Sequence, residues 1–122
     1  MKYLYIRKIN KDGTISSTGG ITVGYNVTKK DIVLSYTRCR YDDRFCRSEG
    51  RKEAERKMVS PDGPHAILPL VHPIQNQIVN EVCKQAKIQA KYDFPLVIIN
   101  DLKFAAKHQR WISRFKPISE NL

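Results

Sequence analysis

Ile21, Val23, Tyr25 and Val27 alternate with Thr22, Gly24 and Asn26, and a repeat of two is the period of a β-strand with one apolar face. After a turn at Thr28 to Lys30 the alternation resumes from Asp31 to Arg40, with Ile32, Leu34 and Tyr36 on the face that ends in Arg38 and Arg40. So short a connection joins antiparallel neighbours. Lys2 to Ile9 is aromatic and β-branched and runs into Asn10-Lys11-Asp12-Gly13, whose Asp-Gly pair supplies the positive φ of a tight turn. These segments predict a three-stranded antiparallel sheet with one buried face, one wet face and a basic end.

The period changes after the sheet. Asp42 or Asp43 is a suitable N-cap, because a short carboxylate accepts orphan backbone N–H bonds, and the following stretch to Met58 spaces Phe45, Ala54 and Met58 as a charged helix does. Gly50 in its interior costs about 1 kcal/mol relative to alanine, which implies a kink or a close approach by another backbone or a ligand. Ser60-Pro61-Asp62-Gly63-Pro64 breaks the chain, and Pro69 and Pro73 keep the next stretch irregular. Pro73 to Lys91 reads as a second helix with Ile74, Ile78, Val82 and Ala86 at i+4 spacing. Phe94 to Asn100 is a short buried strand, and Asp101 to Phe115 a third helix. The expected architecture is α+β: a three-stranded antiparallel sheet with three helices and one further short strand, in a single domain over residues 1–122.

Charge narrows the partners. The formal net charge is +10 from 22 basic and 12 acidic residues, which favours an anionic partner such as a nucleotide, nucleic acid or an acidic surface. Cys39, Cys46 and Cys83 are odd in number and lack CxxC spacing, and no secretory pattern opens the sequence, so reduced cytosolic thiols are expected. No apolar run approaches the roughly 20 residues that span a bilayer. Membrane association, a metal and a cofactor are not expected; a zinc site from Cys39, Cys46 and a histidine lacks the usual ligand spacing.

No GxSxG, HExxH, Walker or GxGxxG motif is present, and the residues that stand out are suited to binding. On the third helix, Lys103, Lys107, Arg110 and Arg114 form one stripe beside Phe104, His108, Trp111 and Phe115. Cations suit phosphates and rings suit bases, although a ring stripe is also how an amphipathic helix docks on a core. Arg44, Arg47 and Arg51 share a face of the first helix with Phe45 alongside; guanidinium groups bind phosphate bidentately and stack on bases. The competing reading is salt bridging within the helix, through Asp43 to Arg47 and Glu53 to Lys57. Asp42-Asp43 fits a helix cap better than acid/base chemistry, and Cys83, on the apolar side of its helix, fits an inert packing role. Gly19-Gly20 before Ile21-Thr22 offers backbone N–H groups to an anion, or is simply a turn.

The first 58 residues carry a further pattern: Asp12-Gly13-Thr14-Ile15, Gly19-Gly20-Ile21-Thr22-Val23, then Asp43-x-Phe45-x-Arg47-x-x-Gly50-Arg51 followed by Ala54-Glu55-x-Lys57. This pattern resembles the Thoeris anti-defence sponge proteins of phages, the first described type. The resemblance implies strands packed on helices, assembly into homo-dimers or higher homo-oligomers, and an interface pocket that sequesters a cyclic ADP-ribose signal without cleaving it, in the cytoplasm of the infected bacterium. It also implies that some members hold cyclic oligonucleotides at other interfaces. Such a ligand needs cations for its phosphates, rings for its base and an amide or hydroxyl for its ribose. By that chemistry the candidate ligand-binding residues are Arg110, Arg114, Asn100, Phe104 and Trp111, joined by Phe45, Arg47, Arg51, Gly20 and Thr22. No catalytic residue is expected. A small basic nucleic-acid-binding protein is the alternative, since the same cations and rings would serve it.

Overall fold

The computed structural model describes residues 1–87, 96–100 and 113–115. Its elements are β1 (Lys2–Lys8), β2 (Ile21–Val27), β3 (Asp31–Arg38), α1 (Arg47–Met58), β4 (Ala66–Pro69), α2 (Ile74–Gln85), β5 (Leu96–Asn100) and β6 (Ser113–Phe115). The α+β class holds, but the antiparallel sheet has six strands, in the order β4-β3-β2-β1-β5-β6. The three expected strands form its β3-β2-β1 part, with Tyr5 opposite Thr22 and Val23 opposite Tyr36.

The helices lie on opposite faces of this sheet. Leu4, Ile6, Ile21, Val23, Ile32, Leu34 and Ile98 point one way and pack with Ile78, Val79, Val82 and Cys83 of α2. On the other face, α1 crosses β2 at two small residues. A Cβ on Gly24 would stand 3.4 Å from Ala54 Cβ, and a Cβ on Gly50 would stand 2.9 Å from Thr22 Cβ. Gly50 thus answers to a close approach by a neighbouring strand. The same crossing corrects the expectation of one wet sheet face: Thr22 and Gly24, the polar and small partners in the β2 alternation, are buried under α1.

Four further expectations change. Residues 66–69, expected to be irregular, form β4 beside β3, with Asp31 opposite Pro69; an outer strand tolerates a proline that has no N–H to give. α1 begins at Arg47 with Cys46 at its N-cap and no side-chain cap bond, so Asp42 and Asp43 cap nothing. That segment is held instead by the β1–β2 loop: Phe45 N–H donates to Ser17 O at 2.9 Å, Gly19 N–H to Asp43 O at 3.0 Å, and Thr18 bridges Arg44. Extended pairing there overrides the cap propensity. α2 ends at Gln85, and Lys87 adopts a φ of 58°; the rest of the expected second helix, residues 88–91, lies outside the described residues. Of the expected third helix, residues 113–115 are strand, with Arg114 opposite Val97, while 101–112 lie outside the described residues.

Candidate functional site

β1 supplies Tyr3, Tyr5 and Arg7 at every second residue, hence on one face of the sheet, and α1 lays Arg47 and Arg51, one helical turn apart, over that face. The result is a ladder of cations on rings. The Arg7 guanidinium stands 3.9 Å from the Phe45 ring centre, Arg47 stands 5.0 Å from Tyr5, and Arg51 stands 5.9 Å from Tyr3. Tyr5 and Phe45 meet edge to face at 5.9 Å. Arg51 Nη1 also donates to the Tyr5 hydroxyl at 3.3 Å, and the Tyr3 hydroxyl donates to Glu55 Oε1. Burial, and then that bond to Glu55, push the Tyr3 phenol up to about 12.

Arg7 is the half-buried rung. Its Nη2 donates to Ser16 O at 2.6 Å, while its Nε is buried without a partner. Burial lowers its pKa, and the positive charge of Arg47 lowers it further. Among the described residues no carboxylate forms an ion pair with Arg7 or Arg47. The expected Asp43–Arg47 and Glu53–Lys57 pairs give way to a Glu53–Arg56 pair at 2.8 Å. Arg47 is therefore not consumed by an intrahelical salt bridge.

A cleft of about 420 Å³ opens on the same face, between the Thr37–Cys46 stretch and the start of α1. Phe45 joins it to the ladder, and its rim mixes Arg40 and Arg44 with Asp43, Glu49 and Glu53. Cys46 is exposed here, and a hydrogen bond with the Ser48 hydroxyl at 3.3 Å lowers its thiol pKa.

The sequence-predicted site residues separate into three groups. Phe45, Arg47 and Arg51 come together, but Arg44, expected on their face, precedes the helix. Gly20 lies beside them: a Cβ there would come within 3.0 Å of both Arg7 Cδ and Phe45 Cδ2, so the glycine makes room for the Arg7–Phe45 stack. The backbone N–H of Gly19 is spent on Asp43 O. Thr22, only 1% exposed beneath Gly50, lines the floor of the 420 Å³ cleft. Asn100 ends β5 with its backbone opposite Leu4, and Arg114 lies on β6. Phe104, Arg110 and Trp111 lie outside the described residues. Arg7, Tyr3 and Tyr5 were not singled out from sequence; the signal was their i, i+2, i+4 spacing along β1, which places two rings and a guanidinium in one row.

Comparison of the chain with protein-family models, with curated proteins and with solved structures returned no match. Among the described residues no group of three or more His, Cys, Asp or Glu side chains is placed to hold a metal ion, and no helix is long and apolar enough to cross a membrane. Fold and site together define a basic α+β protein whose clustered side chains are guanidinium groups and rings.

Proposed function

We propose that this protein is a binding protein that captures a cyclic nucleotide signal, a cyclic ADP-ribose isomer or a related cyclic oligonucleotide, and releases it chemically unchanged. In this reading it acts as a phage anti-defence sponge in the host cytoplasm. The observation that carries the proposal is the pair Arg7 and Arg47: two cations close enough for one to depress the other's pKa, backed by rings, with no carboxylate ion pair among the described residues. A phosphate placed against them relieves their repulsion and gains charge-assisted hydrogen bonds from planar donors. The adjoining cleft, with Phe45 as its shared wall, is of a size that takes a small molecule. Its rim carboxylates suit ribose hydroxyls.

The rings of the ladder already carry guanidinium groups, and Tyr5 is fully buried, so they orient cations rather than offer open faces to a base. The base platform in this proposal is supplied elsewhere, by Phe104 or Trp111 or by a second copy of the chain. Arg110, Arg114 and Asn100 are in this proposal further ligand contacts by their chemistry, cations for phosphate and an amide for ribose.

The test is to incubate the purified protein with a panel of cyclic nucleotides and measure its melting temperature. Heat-released ligand is then weighed by mass spectrometry, and the mass of the assembly is determined by light scattering. A saturable stabilisation, as expected for binding to the native state alone, with intact ligand recovered, supports a sponge. Recovery of hydrolysed product only would make the protein an enzyme. Binding to single-stranded DNA or RNA that collapses with salt, and none to cyclic nucleotides, would favour the nucleic-acid-binding alternative.

A further inference from the structure

A second cleft, of about 430 Å³, lies at the same end of the sheet, with its floor on the opposite face, and shares Arg38, Cys39 and Arg40 with the first. Its floor is Ile6 and Ile21, which belong to the core shared with α2, whereas the arginine ladder lies under α1. We infer that this cleft is a separate anion site for a phosphate monoester carrying a flat ring, the chemistry of a mononucleotide.

Its cations have a single sign. Lys8 at the end of β1, Arg38 at the end of β3 and Arg40 just beyond line the cleft, and among the described residues no carboxylate lines it with them. Arg38 is anchored, donating from Nη1 to Ala86 O at 2.9 Å past the end of α2, which fixes the direction of its remaining N–H groups. Arg40 pairs with Asp42 at 3.4 Å, but the two side chains are 74% and 49% exposed. Ion pairs of that kind hold loosely, so a dianionic phosphate can draw Arg40 inward.

The walls are fixed by backbone bonds. Cys39 N–H donates to Gly20 O at 2.8 Å, and Gly19 N–H to Asp43 O at 3.0 Å. Both glycines have positive φ, 69° and 103°, and Gly19 passes so close to the opposite wall that a Cβ there would touch Tyr41 Cα at 3.5 Å. Ser16 and Thr18 bring hydroxyls to the lining; they meet at 3.4 Å, and the Ser16 hydroxyl also bonds the Thr18 backbone, donating to its O at 3.3 Å. Tyr41 lines the cleft and is 85% exposed. An exposed phenol ring on the lining of a cleft that also carries cations and an apolar floor can serve as a stacking platform for a base, and the volume is within the range of small-molecule sites.

The test uses the full chain with AMP, GMP, ribose 5-phosphate and inorganic phosphate as probes, by titration calorimetry at low and moderate salt. AMP or GMP should bind at least about tenfold more tightly than ribose 5-phosphate, the scale of one base–ring stack. Tyr41→Ala should remove that preference, Tyr41→Phe should keep it, Arg40→Ala should weaken every phosphate, and Arg47→Ala should change nothing. Arg38, Cys39 and Arg40 line both clefts, whereas Tyr41 lines only this one, so Tyr41→Ala, which should leave cyclic-nucleotide capture on the α1 face unchanged, separates failure of this inference from failure of the proposed function. The inference is overturned if no mononucleotide binds, if Tyr41→Ala and Arg40→Ala bind as the parent does, or if inorganic phosphate binds as well as AMP. It is also overturned if oligonucleotides bind more tightly in proportion to length. Circular dichroism and melting of Tyr41→Ala, expected to match the parent because the side chain is exposed, separate loss of binding from loss of fold.

Discussion

Gly50 of α1 lies directly on Thr22 of β2: a Cβ added to the glycine would stand 2.9 Å from Thr22 Cβ and overlap Thr22 Oγ1. Gly50→Ala therefore sets two effects against each other. Helix propensity favours alanine by about 1 kcal/mol, while overpacking against a β-branched residue fixed in a central strand costs about 1–3 kcal/mol. The obstructing atoms are not the far end of a flexible chain, so the steric term prevails. Gly50→Ala should lower stability by about 1 kcal/mol, or about 4 °C in melting temperature. Thr22→Ala in the same chain should recover part of the loss, and a double-mutant cycle with no coupling would refute the close approach.

Arg7 offers a test of what its charge contributes apart from its packing. The side chain stacks on Phe45 and bonds Ser16 O, but its Nε is buried without a partner and Arg47 repels it. Arg7→Ala should destabilise by about 2 kcal/mol, through loss of the stacked stem and the cation–π contact. Arg7→Met keeps the stem and removes both the unpaired donor and the repulsion, so it should lie within about 1 kcal/mol of the parent. In the proposed function both variants lose ligand capture, which denaturant melts and ligand-induced shifts measured on the same samples would resolve.

The strands and α2 were legible because each has its own period: Ile21–Val27 repeats every second residue, and Ile78 and Val82 repeat every fourth on the buried side. β4 was hidden by its proline, Pro69, which marks a break as readily as an outer strand. The start of α1 was misplaced because Asp42-Asp43 has the local chemistry of a cap, while pairing of Phe45 and Asp43 with the β1–β2 loop is a tertiary fact. Likewise Phe45, Arg47 and Arg51 could be read as a stripe on one helix, but not that β1 would place Tyr3, Tyr5 and Arg7 beneath them. That Thr22 would lie under Gly50, and Gly20 beside Arg7 and Phe45, was not legible, because sequence does not show what covers a strand. Cys83, read as a packing residue, is 2% exposed in the α2 core.

The three thiols should react in a fixed order. Cys46 is exposed, and the Ser48 hydroxyl, followed by the backbone N–H of Glu49, lowers its pKa. Burial raises the pKa of Cys39, and pushes Cys83 up to about 12. Since the thiolate is the nucleophile, iodoacetamide at neutral pH should label Cys46 first, Cys39 more slowly and Cys83 only on unfolding. Peptide mass mapping over a time course checks this, and Ser48→Ala should slow Cys46. Labelling of Cys83 as fast as Cys46 would contradict the packing of α2.

His65 should give the fold a weak pH dependence near neutrality. Its Nδ1 accepts the backbone N–H of Tyr36 at 3.1 Å, and its ring lies 4.4 Å from the Tyr36 ring, an arrangement that requires the neutral imidazole. Burial first, and then the positive charge of Lys57, lower its pKa below the ordinary 6.5. Below that value the unfolded chain binds a proton that the folded chain resists, so stability rises with pH across the window and falls as pH drops from about 6.5 toward the folded pKa. Gln85 Nε2 bonds the His65 carbonyl oxygen, not the ring, and does not alter the sign. Urea melts between about pH 5 and pH 7.5 should show this slope, and His65→Asn should reduce it. A slope of opposite sign would mean that the folded state holds the imidazolium, which would be incompatible with Nδ1 accepting the Tyr36 N–H at the edge of β3.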